Sequence, residues 1–240
     1  MKQKIIAFLL GCIVYQLHAT SLSELAHETD KGPSGHNYTA VYEKYFTDLR
    51  HKSIKFLEIG FLIGGSARMW DKYFTDAELY FMDISEELFE KYSYGLSKRC
   101  HFYVVDQSNT AELSQFIKTV GGDFDIIIDD GGHHMHQQIT SFKTLFPFLK
   151  SGGLYVIEDL HTSYWQRFGG AGEIGAPNAD GQTTIRFLQS LVDEVGYIGA
   201  YTGYADAGKC PAEVYEKLTY YQKHIQSIHF YGSICFILKR

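Results

Sequence analysis

The chain has 240 residues, a formal net charge of −6 and a hydrophobic fraction of 45%. This length suits one α/β domain with a large core, so we expect no second domain. No run of lysine or arginine gives the charge pattern of a nucleic-acid-binding protein, and we expect a small-molecule partner and no nucleic acid. The four cysteines have no CxxC spacing, which argues against a disulfide framework and against a zinc site.

The first nineteen residues have the pattern of a secretory signal peptide. Lys2 and Lys4 precede an apolar run over residues 5–17, and Leu17-His18-Ala19 forms a passable cleavage site. The run is shorter than the roughly 20 apolar residues that a transmembrane helix needs. We therefore predict a signal-peptide-like segment over residues 1–19, which favours export, and a single domain over residues 20–240. We expect membrane contact only through that segment if it is not cleaved. A lipoprotein cleavage box over residues 9–12 and an apolar helix packed on the domain are alternatives.

Two features precede the first predicted strand. Ser21 and Glu24 have the spacing of a capping box, which predicts a short helix. Residues 29–38 form a polar, glycine-containing loop that either closes over a ligand or is a solvated connection. The next helix begins near Thr39, and the helical period predicts that its buried positions are Val41, Tyr45 and Leu49.

A glycine-rich turn follows the first strand, which is predicted over residues 54–60. The turn contains Gly60, Gly64 and Ser66 and leads into a helix, an arrangement in which backbone amides can approach a nucleotide-like ligand. The spacing ExGxxxGGS differs from GxGxxG, which argues against a standard dinucleotide site. The next strand ends in Asp83, about 20 residues further on, where a carboxylate can reach the ribose hydroxyls of an adenosine. A simple tight turn is the alternative for each glycine.

Strands and helices alternate along the rest of the chain. A third strand ends in Asp106 and Gln107, which could read the edge of an adenine. Alternation at this interval predicts a mostly parallel sheet with right-handed crossovers, and two apolar segments joined near Gly232 predict a C-terminal antiparallel hairpin. Further helices are predicted over residues 110–120, 135–149, 183–195 and 211–223. Residues 162–181, which include Trp165, are a candidate active-site lid or a disordered surface loop.

Acidic residues follow two strands that are predicted to lie side by side. The apolar residues 126–128 lead into Asp129, Asp130, two glycines and His133, and a later strand ends in Glu158 and Asp159. Ligands bind beyond the carboxyl ends of strands in such sheets. If the strands are neighbours, a metal site forms from Asp130, Glu158 and Asp159, with His133 beside it as a proton acceptor.

Each of these residues also has a structural interpretation. Asp130 could cap the following helix, and Glu158 with Asp159 could be a solvated strand end. His134 and His136 are not predicted to bind zinc, because no thiolate or matching histidine pair accompanies them.

Taken together, these motifs resemble a known enzyme family. Glu58-x-Gly60-x-x-x-Gly64-Gly65-Ser66, Asp83, residues 106–108, Asp129 to His133 and residues 155–165 look like a class I S-adenosylmethionine (SAM)-dependent methyltransferase, closest to the Mg²⁺-dependent macrolide sugar O-methyltransferases. The resemblance implies a Rossmann-like fold with a seven-stranded, mostly parallel sheet, and SAM and Mg²⁺ as cofactors. It implies His133 as general base and Asp130, Glu158 and Asp159 as metal ligands. The residues that it places around SAM are Glu58, Gly60, Asp83, Asp106, Gln107 and Asp129.

The leading hypothesis is therefore a Mg²⁺-dependent O-methyltransferase acting on a sugar or similar polyol. A sugar hydroxyl is a poor nucleophile, and a bound divalent ion can lower its pKa while a histidine takes the proton. Two alternatives are open at this point: a catechol-type O-methyltransferase, and an exported small-molecule-binding protein that has kept the fold without turnover. A homo-oligomer is possible in each case. The compartment stays open, because the N-terminal segment favours export whereas SAM chemistry favours the cytoplasm.

Overall fold

The computed structural model describes residues 20–173, 182–203 and 209–240. The predicted signal-peptide-like segment over residues 1–19 lies outside these ranges, as does Cys12. Among the described helices, none combines the length and the apolar character that crossing a membrane requires.

Seven strands form one sheet, as predicted. The strands are β1 (Lys55–Ile59), β2 (Glu78–Asp83), β3 (Cys100–Val104), β4 (Phe124–Asp129), β5 (Leu149–Ile157), β6 (Ile225–Tyr231) and β7 (Ile234–Lys239). Their order is β3-β2-β1-β4-β5-β7-β6. The first five strands are parallel to one another, and β7 pairs antiparallel with both β5 and β6. The prediction of a mostly parallel sheet with a C-terminal hairpin is confirmed.

Helices cover both faces of the sheet. They are α1 (Leu22–Leu25), α2 (Thr39–Phe46), α3 (Gly65–Tyr73), α4 (Glu86–Tyr92), α5 (Thr110–Val120), α6 (Met135–Leu145), α7 (Thr184–Thr202), α8 (Ala212–Tyr215) and α9 (Tyr220–His224). One buried core lies between the sheet and helices α1 to α4, and the other lies between the sheet and helices α5 to α7. Because side chains alternate along a strand, Ile128 belongs to the first core and Ile127 to the second.

The predicted buried stripe of α2 is wrong by about one position. Tyr42 and Phe46 are fully buried, whereas Val41 and Tyr45 are only partly buried. The ring of Tyr42 packs edge-on against Trp70, with 5.2 Å between centroids. Relative to the prediction, this aromatic packing turns α2 so that the Tyr42 side chain faces the sheet. The helical period alone does not predict that rotation.

Element boundaries in the second half also differ from prediction. The helix predicted over residues 211–223 is two short helices, because Thr219 caps the second one by accepting a hydrogen bond from the amide of Gln222 at 3.2 Å. Helix α7 extends to Thr202 rather than Val195, and the helix predicted over residues 135–149 ends at Leu145, so that strand β5 begins at Leu149. Helix α4 was not predicted. None of these differences moves a predicted site residue.

Candidate functional site

The acidic residues meet at the carboxyl edge of three adjacent strands. The amide of Asp130 donates to the carbonyl of Ile59 at 3.0 Å, and the amide of Glu158 donates to the carbonyl of Asp129 at 3.0 Å. Asp130 directly follows β4 and Glu158 directly follows β5, so the two residues lie side by side at the ends of neighbouring strands. The predicted adjacency of these two strand ends is observed.

Strand alternation divides the acids between the two faces of the sheet. Glu58, Asp130 and Glu158 point toward helices α1 to α3, whereas Asp129 points toward α6, where its carboxylate accepts hydrogen bonds from Ser141 Oγ and, at 3.0 Å, from Gln107 Nε2. Burial raises the pKa of Asp129, and these two donors oppose the increase. Asp129 is thus part of the support under the site and has no surface in the cleft described below.

An open group of three residues faces the cleft. Asp130, His133 and Asp159 each offer a ligand atom within 4.8 Å of the others. His133 Nε2 lies 3.5 Å from Asp159 Oδ2, and His133 Nδ1 is buried without a hydrogen-bond partner. Both His133 and Asp159 adopt left-handed backbone conformations, with φ of 56° and 55°. Non-glycine residues in this region of φ are uncommon and concentrate at functional sites, because the surrounding structure must offset the strain.

A second group of acids lies just beneath the first. Glu58, Asp130 and Glu158 also come within 4.8 Å of one another, and Asp130 belongs to both groups. The buried ammonium of Lys31 contacts Asp130 and lies 2.7 Å from Glu158 Oε1 and 3.5 Å from Glu58 Oε1. The Tyr42 hydroxyl donates to Glu158 Oε1 at 2.5 Å. The predicted metal set is thereby split, since Glu158 faces this inner group and Asp159 faces the open one.

The inner group combines three carboxyl groups with one ammonium. Burial raises the pKa of Glu58 to about 7, and burial likewise raises the pKa values of Asp130 and Glu158 despite the nearby ammonium. Burial alone would lower the pKa of Lys31, but the carboxylates around it outweigh that effect and raise it. The raised carboxyl pKa values mean that one ammonium does not fully stabilise the ionised forms, and a cluster of hard oxygen donors of this kind fits a divalent ion such as Mg²⁺.

A cleft of about 550 Å³ extends from the glycine-rich turn to the open acid group. That volume is in the range typical of small-molecule sites. Five of the predicted cofactor residues line it: Gly60, Ser66, Asp83, Asp106 and Gln107. Gly60 has a φ of 94°, and a Cβ there would lie 2.0 Å from the carbonyl oxygen of Asp130. Only glycine fits where the turn passes the acid loop.

Asp83 and Asp106 organise the walls of this cleft. Asp83 Oδ2 accepts hydrogen bonds from the amides of Phe61 at 2.9 Å and Leu62 at 3.3 Å, so it holds the glycine-rich turn against β2. Asp106 Oδ1 accepts from the hydroxyl and the amide of Ser108, and these bonds lower the pKa of Asp106. Both carboxylates face the cleft.

The other predicted cofactor residues lie behind the cleft rather than in it. Glu58 accepts hydrogen bonds from Ser66 Oγ at 2.8 Å and Trp70 Nε1 at 3.1 Å and is fully buried. Gly64, with a φ of 70°, forms the N-terminal cap of α3. Like Asp129, Glu58 and Gly64 support the wall of the cleft without lining it.

Sequence reasoning missed three residues of the site: Lys31, Tyr38 and Tyr42. Tyr38 donates to Asp159 Oδ1 at 2.8 Å, so two tyrosines hold the two acids that follow β5. The loop over residues 29–38 was expected to close over a ligand or to be a solvated connection. Thr29 and Asp30 of this loop line the cleft, and the loop also carries Lys31 into the acid cluster. No local pattern marks a single lysine for burial, although the helical spacing of Tyr38 and Tyr42 could have paired them.

The candidate lid is described only in part. Within residues 162–173, a short 3₁₀ turn over Gln166–Phe168 follows Trp165, whose ring lies 4.5 Å from that of His161, and Phe168 lies 6.3 Å from the ring of His133. These aromatics border the open acid group. Residues 174–181 of the predicted lid lie outside the described residues.

Comparison with known proteins adds a family to this geometry. Residues 57–160 match a family model described as a methyltransferase domain. The 8-demethyl-8-alpha-L-rhamnosyl tetracenomycin-C 2'-O-methyltransferase of Streptomyces olivaceus is 36% identical over 223 residues, which cover 90% of this chain and 53% of the relative. The mycinamicin VI 2''-O-methyltransferase of Micromonospora griseorubida is 33% identical over 242 residues, covering 97% of this chain and 55% of the relative.

A solved structure shows the same architecture. The MycE methyltransferase of the mycinamycin biosynthetic pathway, in complex with Mg, SAH and mycinamycin VI, aligns with a TM-score of 0.75 at 32% identity, covering 91% of this chain and 53% of that chain. The chain spans about half the length of the curated relatives that it matches.

Proposed function

Since this chain belongs to the class I SAM-dependent methyltransferases, with a methyltransferase domain over residues 57–160, we propose that it transfers the methyl group of SAM to a hydroxyl of a sugar or similar polyol in a Mg²⁺-dependent reaction. The observation that carries this proposal is the single cleft that joins the glycine-rich turn to the open group of Asp130, His133 and Asp159. One end of the cleft suits an adenosine, and the other end suits an ion and an acceptor.

The relatives support the choice of acceptor. Those quoted above are named for O-methylation of a rhamnosyl tetracenomycin and of mycinamicin VI, and the MycE complex contains Mg, SAH and mycinamycin VI. A glycosylated small molecule is therefore the acceptor class that we propose for this chain. No feature of the described residues favours a catechol.

The residues that would hold Mg²⁺ are Asp130 and Asp159 on the open side and Glu158 beneath them. When bound, the ion would lower the pKa of the acceptor hydroxyl and fix its position. Tyr38 keeps one oxygen of Asp159 occupied at 2.8 Å, which directs the other oxygen toward His133 and the cleft.

His133 is the proton acceptor in this proposal. Its Nε2 faces Asp159 and the cleft, and an imidazole is basic enough near neutral pH to take a proton from a hydroxyl. As the acceptor oxygen forms its bond to the methyl carbon, the carbon–sulfur bond of SAM breaks and its electron pair stays on sulfur. His133 retains the hydroxyl proton. Asp83 and the glycine-rich turn supply the alignment of oxygen, methyl and sulfur.

Calorimetric titration of SAM into the purified chain, with Mg²⁺ and then with EDTA, combined with a methyl-transfer assay, tests the proposal. The assay would compare a rhamnosylated aglycone, the same aglycone without sugar, and a catechol. We expect SAM binding in both buffers and transfer to the rhamnosylated compound that EDTA abolishes. Absence of SAM binding in both buffers would reject the enzyme hypothesis in favour of a binding protein without turnover, and transfer to the catechol alone would reject the sugar.

Asp83→Asn provides a control for the cofactor end of the cleft. The amide keeps one acceptor oxygen for the turn but removes the charge next to the proposed ribose position. We expect weaker SAM binding with unchanged Mg²⁺ binding. An unchanged SAM affinity would remove Asp83 from the cofactor site.

We also propose that residues 1–19 direct export and that residues 20–240 form the single methyltransferase domain. The supporting feature is the sequence pattern of two lysines followed by a short apolar run. Mass spectrometry of the protein recovered from cells and from medium tests this directly. An uncleaved cytoplasmic protein would reject export, and size-exclusion chromatography of the same sample would decide whether it is a homo-oligomer.

A further inference from the structure

Lys31 is held at the centre of the acid cluster. Its side chain is fully buried, and its ammonium contacts Asp130, Glu158 and Glu58, which follow or belong to three adjacent strands. The ammonium donates hydrogen bonds to Asp130 and Glu158, and it forms a longer ion pair with Glu58 at 3.5 Å. The side chain has no surface in the cleft, so a bound cofactor or acceptor cannot contact it directly.

The surrounding loop is wound tightly around this lysine. The amide of Thr39 donates to the carbonyl of Lys31 at 3.1 Å, which joins the loop to the first turn of α2. A Cβ on Gly32 would lie 2.8 Å from the carbonyl oxygen of Ala26, and a Cβ on Gly35 would lie 2.1 Å from that of Asp30. The two glycines therefore permit the compact path that brings Lys31 to the acid cluster. A loop that opens and closes would not require such close backbone packing.

The charges explain why an internal cation is needed there. Glu58, Asp130 and Glu158 lie close together with little solvent, and repulsion between buried carboxylates is costly unless a cation or protons compensate it. A single ammonium contacts all three carboxyl groups, and Asp159 adds a further carboxyl group on the open side. The same ammonium, however, repels any divalent ion that shares Asp130.

We propose that Lys31 is a positioning residue. It limits the affinity of the acid cluster for a divalent ion, and it limits how far the stability of the fold depends on that ion. Its ammonium holds the inner oxygens of Asp130 and Glu158 together before any ion enters. It thereby keeps the cleft folded without metal and leaves the outer oxygens for an ion that can exchange. This inference rests on the proposed Mg²⁺ site, but it concerns metal affinity and stability rather than methyl transfer.

Lys31→Met tests the proposal, with the thermal transition measured in EDTA and in Mg²⁺. Methionine fills a similar volume without charge. We expect the variant to melt below the wild type in EDTA and to gain far more from Mg²⁺, because removing the repulsion tightens binding of the ion at least about tenfold. Mn²⁺ binding followed by electron paramagnetic resonance measures the same change without SAM or acceptor.

Lys55→Met is the matched control. The ammonium of Lys55 donates to the backbone carbonyls of Val120, Gly121 and Gly122, at 2.7, 3.1 and 3.0 Å, and is remote from the acid cluster. Its loss should lower the melting temperature by the same amount in EDTA and in Mg²⁺. If Lys31→Met shows this same ion-independent loss, Lys31 is only a structural residue and the proposal is wrong.

A second variant covers the case in which Lys31→Met fails to fold in EDTA. The proposal then requires that Mg²⁺ restores its folding, and failure to do so counts against it. Lys31→Met with Glu58→Gln removes one positive and one negative charge, so it should fold in EDTA while still binding Mn²⁺ more tightly than the wild type. Equal Mn²⁺ affinity in that double variant and the wild type would overturn the proposal. Neither result depends on whether the wild type transfers a methyl group, so the two proposals can fail separately.

Discussion

Asp129 and Asp130 are adjacent in the chain, but they lie on opposite faces of the sheet. Asp129 is fully buried against α6, and its oxygens are occupied by Ser141 and Gln107. Asp130 turns to the other face, where it joins Lys31 below and the open group with His133 and Asp159 above. The difference follows from the two-residue period of a strand. In this pair of acids at a strand end, Asp129 is buried with its partners on one face and Asp130 reaches the cleft on the other.

The largest expected effect comes from Asp130. Asp130→Asn keeps the size of the side chain and removes the charge that both acid groups share. We expect methyl transfer to fall at least about a thousandfold. The melting temperature in EDTA should fall less than in Asp129→Ala, because Lys31 keeps its hydrogen bond to Glu158. Rate assays and thermal melts on the same preparation measure both quantities. A variant that melts far below the wild type and retains its rate would reverse the roles assigned to the two aspartates.

His133 provides a second test of the comparison between Asp129 and Asp130, because it lies in the open group with Asp130. His133→Ala should lower turnover by about 100- to 10,000-fold while SAM binding stays unchanged. Single-turnover kinetics and calorimetric titration of SAM provide the two measurements. Normal turnover in this variant would remove His133 from the mechanism.

Asp129 should respond in the opposite way. Asp129→Ala leaves the Gln107 amide without its buried acceptor and removes one of the acceptors of the Ser141 hydroxyl. We expect the free energy of unfolding to fall by about 2–4 kcal/mol. Urea denaturation monitored by tryptophan fluorescence measures this loss. Ser141→Ala, which removes one donor only, is the milder control. Normal stability with lost SAM binding would instead return Asp129 to the cofactor residues that the family resemblance predicts.

The smallest expected effect is the pH dependence of stability from Glu58. Its pKa rises from an ordinary value of 4.5 to about 7 in the folded protein, so the native state binds a proton that the unfolded state releases between these values. The contribution is complete below the unfolded pKa and is lost as the pH rises through the folded one. In EDTA we expect the free energy of unfolding to fall by about 1–3 kcal/mol from pH 5 to pH 8.

Glu58→Gln tests the origin of that slope. The amide retains an oxygen that can accept from Trp70, but it does not titrate. We expect a shallower fall in stability over the same pH range. A slope equal to that of the wild type would assign the effect to other buried acids.

The parts of this molecule that were predictable from sequence are those with a local pattern. The short runs of β-branched and aromatic residues gave the parallel strands, and the acids after β4 and β5 gave the place of the site, since strand ends on one edge must meet. Lys31 was not predictable, because its role depends on contacts with residues 27, 99 and 127 positions further along the chain. The division of the proposed metal ligands into two groups likewise depends on which oxygen faces the ammonium.

The hairpin at the end of the sheet affects how the protein can be made. The turn between β6 and β7 reaches the site: the carbonyl of Ser233 accepts from the amide of Leu160 at 2.9 Å, and its hydroxyl lies 2.5 Å from His161 Nδ1. Strand β5 pairs with β7, which is synthesised more than seventy residues later. On a translating ribosome, β5 therefore remains an unpaired edge until β7 has emerged. Catalytic competence would arrive only then, and a nascent chain would need a chaperone for that edge more than for any other strand.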